Sequence, residues 1–194
     1  TGLAEASSKP ENFVGLHFFS PVDRMKLVEI IKGAKTSPET LARAYDYVLQ
    51  IDKTPIVVND SRGFYTSRTF GTFVQEGCAM LAEGVPAAVI ENAARQAGMP
   101  VGPLAVIDET SMSLSVHVME QTIADLKAEG KPPPPEHPGQ QVIVKMVKEL
   151  KRPGRAGGGG FYEYPKEGKK FLWPELDRIF GRSGVKWDLE ELKD

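Results

Sequence analysis

The sequence contains little cysteine, little net charge and no long apolar run. Cys78 is the only cysteine among 194 residues, which excludes an intramolecular disulfide and a cysteine-based metal site. The formal net charge of -2 gives no general attraction to nucleic acid or to an anionic membrane. Apolar runs are far shorter than the roughly 20 residues of a transmembrane helix. We therefore expect no nucleic-acid partner, no metal, no transmembrane segment and a reducing compartment, most simply the cytoplasm.

The composition is that of a globular protein with a hydrophobic core, since 41% of the residues are hydrophobic and 26% are charged. The first residues, Thr1-Gly2-Leu3, contain neither an initiator methionine nor a signal-peptide pattern. The last residues, 188–194, have the pattern of a helix that has only begun. Both ends predict that the chain is a fragment of a longer polypeptide.

The first sixty residues alternate between strand and helix patterns. Apolar, β-prone segments at 13–19, 27–31 and 54–58 predict three strands. Between the second and the third, Thr36-Ser37-Pro38-Glu39 carries the hydroxyl, proline and glutamate that begin a helix. This order predicts an α/β part that ends near residue 60.

After Gly63 the pattern becomes helical. Apolar residues recur at helical spacing, which predicts helices at 64–83, 86–97, 103–128, 140–151 and 174–180. Four glycines at 157–160 predict a mobile loop. Lys151, Arg152 and Arg155 beside them predict a solvated basic surface, with a contact to the phosphates of a ligand as the alternative. The second part of the chain is therefore expected to be an all-helical domain.

Two polar side chains interrupt the predicted strands. His17 follows an apolar run, at the carboxyl end of a strand, which is the ligand edge of an open α/β sheet. Glu29 lies among apolar residues of the next strand, where an unpaired carboxylate is costly to bury. A carboxylate beside a histidine fixes its tautomer and orients its ring, which makes an acid–base pair. From these residues alone, a purely structural histidine with Glu29 on a solvent face is the favoured alternative.

Three motifs resemble one enzyme family, in the same order and over nearly the whole chain. They are Gly15-Leu16-His17-Phe18-Phe19-Ser20-Pro21 followed by Leu27-Val28-Glu29, the turn Asp60-Ser61-Arg62-Gly63-Phe64, and the tail Gly160-Phe161-Tyr162-Glu163-Tyr164. The family is that of the 3-hydroxyacyl-CoA dehydrogenases. The likeness is strongest to the dehydrogenase region of the multifunctional α-subunit of bacterial fatty-acid oxidation complexes.

The resemblance implies a fold and an activity. Residues 1–60 would be an α/β remnant, the carboxy-terminal part of an NAD-binding Rossmann-type domain, and residues 61–194 the family's all-α carboxy-terminal domain. The activity would be oxidation of (3S)-3-hydroxyacyl-CoA to 3-oxoacyl-CoA with NAD, in β-oxidation. A region with enoyl-CoA hydratase activity would precede it. The implied partners are the substrate and either a second copy of the chain or a thiolase-containing complex.

The resemblance also implies roles for single residues. His17 matches the catalytic base and Glu29 its carboxylate partner. Ser20 stands where many members have an asparagine that contacts cofactor and substrate, and Ser67 where another asparagine lies near the substrate carbonyl. Ala156 stands where a lysine can reach the cofactor. Serine offers one donor and a shorter reach than asparagine, so these departures predict altered contacts with substrate and NAD.

The family's Gly-x-Gly-x-x-Gly motif, which places the pyrophosphate of NAD at a helix amino terminus, does not occur in the sequence. We therefore expect the main NAD site to lie outside this chain and the fragment to be inactive alone. Two other hypotheses are a non-catalytic assembly module and a dehydrogenase of a non-CoA 3-hydroxy acid. NADH production from a panel of substrates with and without CoA distinguishes them.

Overall fold

The computed structural model describes residues 2–181, so the helix predicted to begin at 188–194 lies outside the described part. The chain divides into two compact units, unit 1 (Thr1–Thr69) and unit 2 (Phe70–Asp194). Within residues 2–181, no helix is both long enough and apolar enough to cross a bilayer.

Unit 1 is built on a three-stranded sheet with the order β1-β2-β3. Its elements are α1 (Gly2–Glu5), a 3-10 turn (Pro10–Asn12), β1 (Gly15–Phe18), β2 (Leu27–Lys32), α2 (Pro38–Gln50) and β3 (Thr54–Asn59). β1 runs antiparallel to β2, whereas β2 and β3 are parallel because α2 connects them. All three predicted strands are present.

Helix α2 begins where the sequence predicts. The hydroxyl of Ser37 accepts the N–H of Thr40 at 3.2 Å, and the proline that follows the cap occupies the first turn. On the inner face of the helix, Ala44 and Val48 pack with Val28 and Ile30 of β2 in the core of unit 1. This packing fixes which face of β2 is covered.

Because β1 runs antiparallel to β2, His17 does not lie at the edge of the sheet where ligands usually bind. The residue is next to last in β1, as predicted, and it pairs with Glu29 of β2. However, Phe18 pairs with Val28 and Leu27 pairs with Thr54, so this end of β1 meets the beginnings of β2 and β3. In open α/β sheets, ligands bind at the carboxyl ends of the parallel strands. His17 lies at the opposite end of the parallel strands β2 and β3, so this rule does not predict a ligand site at His17.

Unit 2 is mainly helical. Most of α3 (Thr66–Ala82) belongs to it, followed by α4 (Ala87–Gln96), α5 (Pro103–Thr110), α6 (Met112–Ala128), α7 (Pro138–Val144), a π-helical segment (Lys145–Glu149), a 3-10 turn (Arg155–Gly157), β4 (Tyr162–Glu163), β5 (Phe171–Leu172) and α8 (Leu176–Phe180). The prediction of one helix over 103–128 is wrong because Ser111 has φ +86 and divides it. Its hydroxyl accepts the N–H of Leu114 and begins α6.

The core of unit 2 is apolar and includes Cys78, which is fully buried. Its other members come mainly from the helices of unit 2 and from the chain at the start of β4, among them Val74, Leu81, Ile90, Leu104, Ile107, Met112, Met146 and Phe161. Burial raises the pKa of the Cys78 thiol, and the nearby carboxyls of Asp108 and Glu91 raise it further. Cys78 is therefore an inert core residue, as the sequence predicts.

Two buried carboxyls connect the helices of unit 2 to β4. Glu91 of α4 accepts the N–H groups of Leu104 and Ala105 at the start of α5, at 2.8 and 3.2 Å. Its other oxygen accepts the hydroxyl of Tyr162 at 2.7 Å. Asp108 of α5 accepts the N–H groups of Phe161 and Tyr162 at 2.9 and 2.8 Å. These bonds satisfy helix and strand ends that the core would otherwise leave unpaired.

The glycine segment 157–160 is not the mobile loop that the sequence predicts. Gly154 and Gly159 exchange backbone hydrogen bonds, and Gly159 and Gly160 are buried. A Cβ atom on Gly160 would lie 2.0 Å from Oδ1 of Asp108. Gly160 occurs here because the chain passes against a buried carboxyl, which leaves no room for a side chain.

Arg152 is also not part of a solvated basic surface. Its guanidinium donates to the carbonyl oxygens of Gly160 and Tyr162, pairs with Glu163 at 3.0 Å and lies 4.1 Å from the centre of the Trp173 ring. Stacking and several hydrogen bonds from one side chain are typical of a structural arginine. The prediction is wrong because backbone carbonyls accept the N–H groups of Arg152, and a basic cluster in the sequence does not indicate such acceptors.

Candidate active site

His17 and Glu29 face each other across β1 and β2. They are directly paired residues in the sheet register, so their side chains lie on the same face. Nδ1 of His17 and Oε2 of Glu29 are 2.7 Å apart. The Glu29 side chain is fully buried, whereas 36% of the His17 side chain is exposed. The structure therefore pairs the buried acid with a ring that solvent can reach.

The second oxygen of Glu29 is bonded to the beginning of α3. Oε1 accepts the backbone N–H groups of Tyr65 and Thr66 at 3.1 and 2.9 Å. These N–H groups have no partner inside the helix, and the helix dipole favours a negative charge at this end. The turn before them uses positive φ angles at Gly63 (+76) and Phe64 (+43). Among residues 2–181, the ring of His17 and the N–H groups of Tyr65 and Thr66 thus donate to the two oxygens of Glu29.

These donors determine the charge of Glu29. Burial raises the pKa of Glu29, but the N–H of Thr66, the ring of His17 and the N–H of Tyr65 together lower it below its usual value. The carboxylate is therefore ionised at neutral pH and can only accept hydrogen bonds. Nδ1 of His17 must then carry the proton that lies between the two groups. In the neutral ring, Nε2 is left with a free lone pair.

Two aromatic rings lie beside the imidazole of His17. The Phe19 ring centre lies 4.6 Å from the imidazole centre, and that of Phe64 lies 5.9 Å from it. Within residues 2–181, Nε2 has no hydrogen-bond partner. A half-exposed ring with one fixed and one free nitrogen can take a proton from a bound molecule and return it.

Ser20 and Ser67, the other predicted site residues, are both exposed. Ser20 follows the end of β1, and Ser67 lies in the first turn of α3, next to Thr66. Neither hydroxyl is hydrogen-bonded to the His17–Glu29 pair. Their predicted contacts with substrate and cofactor stay predictions.

The backbone donors at Tyr65 and Thr66 were missed in the sequence. Every residue except proline has an N–H group, so composition cannot identify two of them as ligands of a carboxylate. The available signal was the turn at Gly63, which precedes a long helix. A buried acid together with a glycine turn before a helix would have indicated this contact.

Residues 2–181 contain no site that fits the whole NAD molecule. Its pyrophosphate needs a glycine-rich turn that opens into a helix. The glycines at 157–160 instead lie in a hydrogen-bonded turn, in which Gly160 contacts Asp108, and only a three-residue 3-10 turn begins at Arg155. Ala156 is exposed, and the Arg155 guanidinium lies 5.8 Å from the Tyr164 ring centre.

Comparison with known protein families matches almost all of the described chain. Residues 1–61 match the model described as 3-hydroxyacyl-CoA dehydrogenase, NAD binding domain. Residues 63–164 match the model described as 3-hydroxyacyl-CoA dehydrogenase, C-terminal domain. The predicted fold class, and NAD as the cofactor of the family, are confirmed by these matches.

Individual relatives agree with the family models. The fatty acid oxidation complex subunit alpha of Shewanella oneidensis is 36% identical over 184 residues, which are 95% of this chain and 25% of the relative. The chain thus spans about a quarter of the length of the curated relatives that it matches.

Solved structures give the same result. The (S)-3-hydroxybutyryl-CoA dehydrogenase of Ralstonia eutropha has a TM-score of 0.72 and 32% identity, over 86% of this chain and 57% of that one. The 3-hydroxybutyryl-CoA dehydrogenase of Escherichia coli has a TM-score of 0.72 and 29% identity, over 87% and 35%. The chain therefore belongs to the 3-hydroxyacyl-CoA dehydrogenase family.

Proposed function

We propose that the chain supplies the acid–base pair and the helical domain of an NAD-dependent L-3-hydroxyacyl-CoA dehydrogenase that acts in fatty-acid β-oxidation. The observation that supports this most directly is the 2.7 Å contact between His17 Nδ1 and Glu29 Oε2, with Nε2 of the ring free among residues 2–181. The alternative of a purely structural histidine placed Glu29 on a solvent face, whereas the Glu29 side chain is fully buried. The substrate is proposed to be a (3S)-3-hydroxyacyl-CoA and the product a 3-oxoacyl-CoA.

In the proposed reaction, Nε2 of His17 accepts the proton of the substrate 3-hydroxyl. The charge that develops on the ring lies beside the ionised carboxylate of Glu29, which lowers its free energy. Because the carboxylate is already held by Tyr65 and Thr66, it need not move when the ring becomes charged. In the reverse direction, the same nitrogen returns the proton to the 3-oxo oxygen.

Oxidation of the alcohol also needs a hydride acceptor at C3, which NAD supplies when bound. Among the described residues we propose only Ser20 as a contact to this cofactor, and Ser20 and Ser67 as contacts to the substrate. Turnover therefore depends on dinucleotide-binding residues beyond these 194. Association into a homo-oligomer or a thiolase-containing complex, and a cytoplasmic location, belong to the same proposal.

The substitution Glu29→Gln tests the acid–base role. The glutamine oxygen can still accept the N–H groups of Tyr65 and Thr66, but its NH2 group would face Nδ1 of His17. The ring would then carry its proton on Nε2, where it can no longer accept one. We expect kcat to fall by about 10²- to 10⁴-fold in the natural full-length protein, measured as NADH formation from a (3S)-3-hydroxyacyl-CoA.

The matched control is Glu39→Gln, because Glu39 is exposed on α2 and pairs only with Arg43 among the described residues. It should leave kcat unchanged. Near-normal turnover in the Glu29→Gln protein, with its fold intact by circular dichroism, would refute the role of the pair. If the full-length protein forms no NADH from any 3-hydroxyacyl-CoA, the assembly-module hypothesis is favoured instead.

Cofactor affinity gives a second test. Since the described residues form no pyrophosphate cradle, we expect the isolated 194-residue chain to show no saturable NAD binding by isothermal titration calorimetry at millimolar NAD. Binding in the micromolar range would mean that the chain holds the dinucleotide without the glycine motif, and would contradict this part of the proposal.

A further inference from the structure

Phe64 has an unusual backbone conformation for an aromatic residue. Its φ is +43, and it directly follows Gly63, whose φ is +76. A bulky residue rarely adopts a positive φ, because its side chain then crowds the backbone. Such a conformation persists where surrounding contacts require it, and such residues cluster at functional sites.

The backbone of Phe64 positions the donors to Glu29. Its own N–H donates to the carbonyl oxygen of Ser61 at 3.0 Å, which closes the turn. The next two residues, Tyr65 and Thr66, donate their N–H groups to Oε1 of Glu29. A different φ at Phe64 would turn these N–H groups away from the carboxylate.

The side chain of Phe64 reaches the other member of the pair. Its ring centre lies 5.9 Å from that of the His17 imidazole, with an angle of 52° between the ring planes. This is a normal distance for a tilted pair of aromatic rings. Phe64 belongs to neither of the two hydrophobic cores, so core packing does not explain the aromatic side chain.

We propose that Phe64 is a positioning residue that holds both members of the acid–base pair, His17 through its ring and Glu29 through its backbone. This inference rests on the proposed function, since it concerns how the same pair is oriented. No contact between Phe64 and the substrate is part of it. Loss of the ring lets the imidazole rotate, and relaxation of the turn weakens the bonds to Glu29, so both lower the rate of proton transfer.

Three substitutions of Phe64 test the role of its ring. Phe64→Tyr keeps an aromatic ring, and the tyrosine must adopt the same positive φ. Phe64→Leu keeps apolar volume but removes the ring. Phe64→Gly removes the ring and adopts a positive φ freely. Tyr45→Leu is the control, because Tyr45 is an exposed aromatic residue of α2, and this helix carries neither member of the acid–base pair.

The steady-state measurement is the split between kcat and KM in the natural full-length protein. We expect Phe64→Leu and Phe64→Gly to lower kcat by roughly 10- to 100-fold with KM changed less than about threefold. Phe64→Tyr should restore kcat to within about threefold of the original, and Tyr45→Leu should not change it. Denaturant unfolding confirms that each variant is folded.

A second measurement needs no turnover. In ¹⁵N-histidine-labelled protein, the proton between His17 Nδ1 and Glu29 should give a downfield NMR signal that is protected from exchange. The signal is assigned to this proton if it disappears in the Glu29→Gln variant. Phe64→Leu and Phe64→Gly should broaden or remove this signal, whereas Phe64→Tyr should keep it. If folded Leu and Gly variants keep both the signal and the original kcat, the inference is overturned.

The two proposals can fail separately. If Glu29→Gln retains normal turnover, the acid–base role fails, and the NMR signal still shows whether Phe64 orients the pair. If Glu29→Gln loses turnover while Phe64→Leu and Phe64→Gly do not, the acid–base role stands and Phe64 is not a positioning residue.

Discussion

Individual residues show which parts of this site a sequence can indicate. Glu29 could be identified because a carboxylate inside an apolar strand needs a partner, and His17 on the preceding strand can provide it. The donors at Tyr65 and Thr66 could not be identified, since they are backbone groups that depend on the φ angles of the turn. The packed glycines were misjudged for a similar reason, because a run of glycine in a sequence does not show what lies beside it.

Gly160 provides a prediction at the same scale. A methyl group in Gly160→Ala would lie 2.0 Å from Oδ1 of Asp108, so the carboxyl must move and its bonds to Phe161 and Tyr162 weaken. We expect unit 2 to lose about 2–4 kcal/mol of unfolding free energy, measured with urea. Gly71→Ala is the control, because a Cβ there meets nothing within 4 Å. It should be neutral or slightly stabilising, and an equal loss in both would refute the packing argument.

Secondary-structure elements were predicted well where local chemistry sets their ends. Ser37 begins α2 through its own side chain, and the sequence shows this directly. The division of 103–128 at Ser111 was missed because apolar residues continue at helical spacing through the break. The sequence also does not indicate the contact between α4 and the beginning of α5. The acceptor for the first N–H groups of α5 is Glu91, which lies twelve residues before this helix begins.

The link between β4 and α4 can be tested with Tyr162→Phe. This substitution removes the hydroxyl that donates to Oε2 of Glu91 and leaves a buried carboxyl oxygen without that partner. We expect a loss of about 1–3 kcal/mol in the unfolding free energy of unit 2 by urea titration. Tyr45→Phe, on the exposed face of α2 in unit 1, is the control for loss of a tyrosine hydroxyl and should change the unfolding free energy of unit 1 by less than about 0.5 kcal/mol. No difference between the two variants would mean that this bond contributes nothing to stability.

At the scale of the whole molecule, the two units contain buried carboxyls with opposite pKa shifts. Burial raises the pKa of Asp108 to about 6, although the N–H groups of Phe161 and Tyr162, the Tyr164 hydroxyl and the charge of Arg152 lower it. The pKa of Glu29 is lowered by its donors despite burial. Asp108 therefore stabilises unit 2 most when protonated, and Glu29 stabilises unit 1 most when ionised.

These shifts predict a pH dependence of opposite sign in the two units. The Asp108 contribution is present below its ordinary pKa near 4 and is lost as the pH rises through about 6. The Glu29 contribution is present above its ordinary pKa of 4.5 and is lost as the pH falls below it. Glu29 and Asp108 thus favour folding over different pH ranges.

The variant Asp108→Asn isolates the first effect. The unfolding free energy of unit 2, followed by tryptophan fluorescence, should decline between pH 4 and pH 7 by up to about 3 kcal/mol more in the original protein than in the variant. A parallel pH dependence in the two proteins would show that Asp108 does not titrate with a raised pKa. The absolute stability of the variant does not enter, because only the difference in slope is compared.

The fully buried position of Cys78 has a practical consequence. A maleimide or disulfide reagent cannot reach this thiol while the helices around it remain closed, and the raised pKa leaves almost no thiolate to react. Because the chain has no second cysteine, the labelling rate of the unmodified protein reports how often this interior opens. The Cys78 thiol is thus a built-in probe of local opening, and no reporter group has to be engineered into the protein.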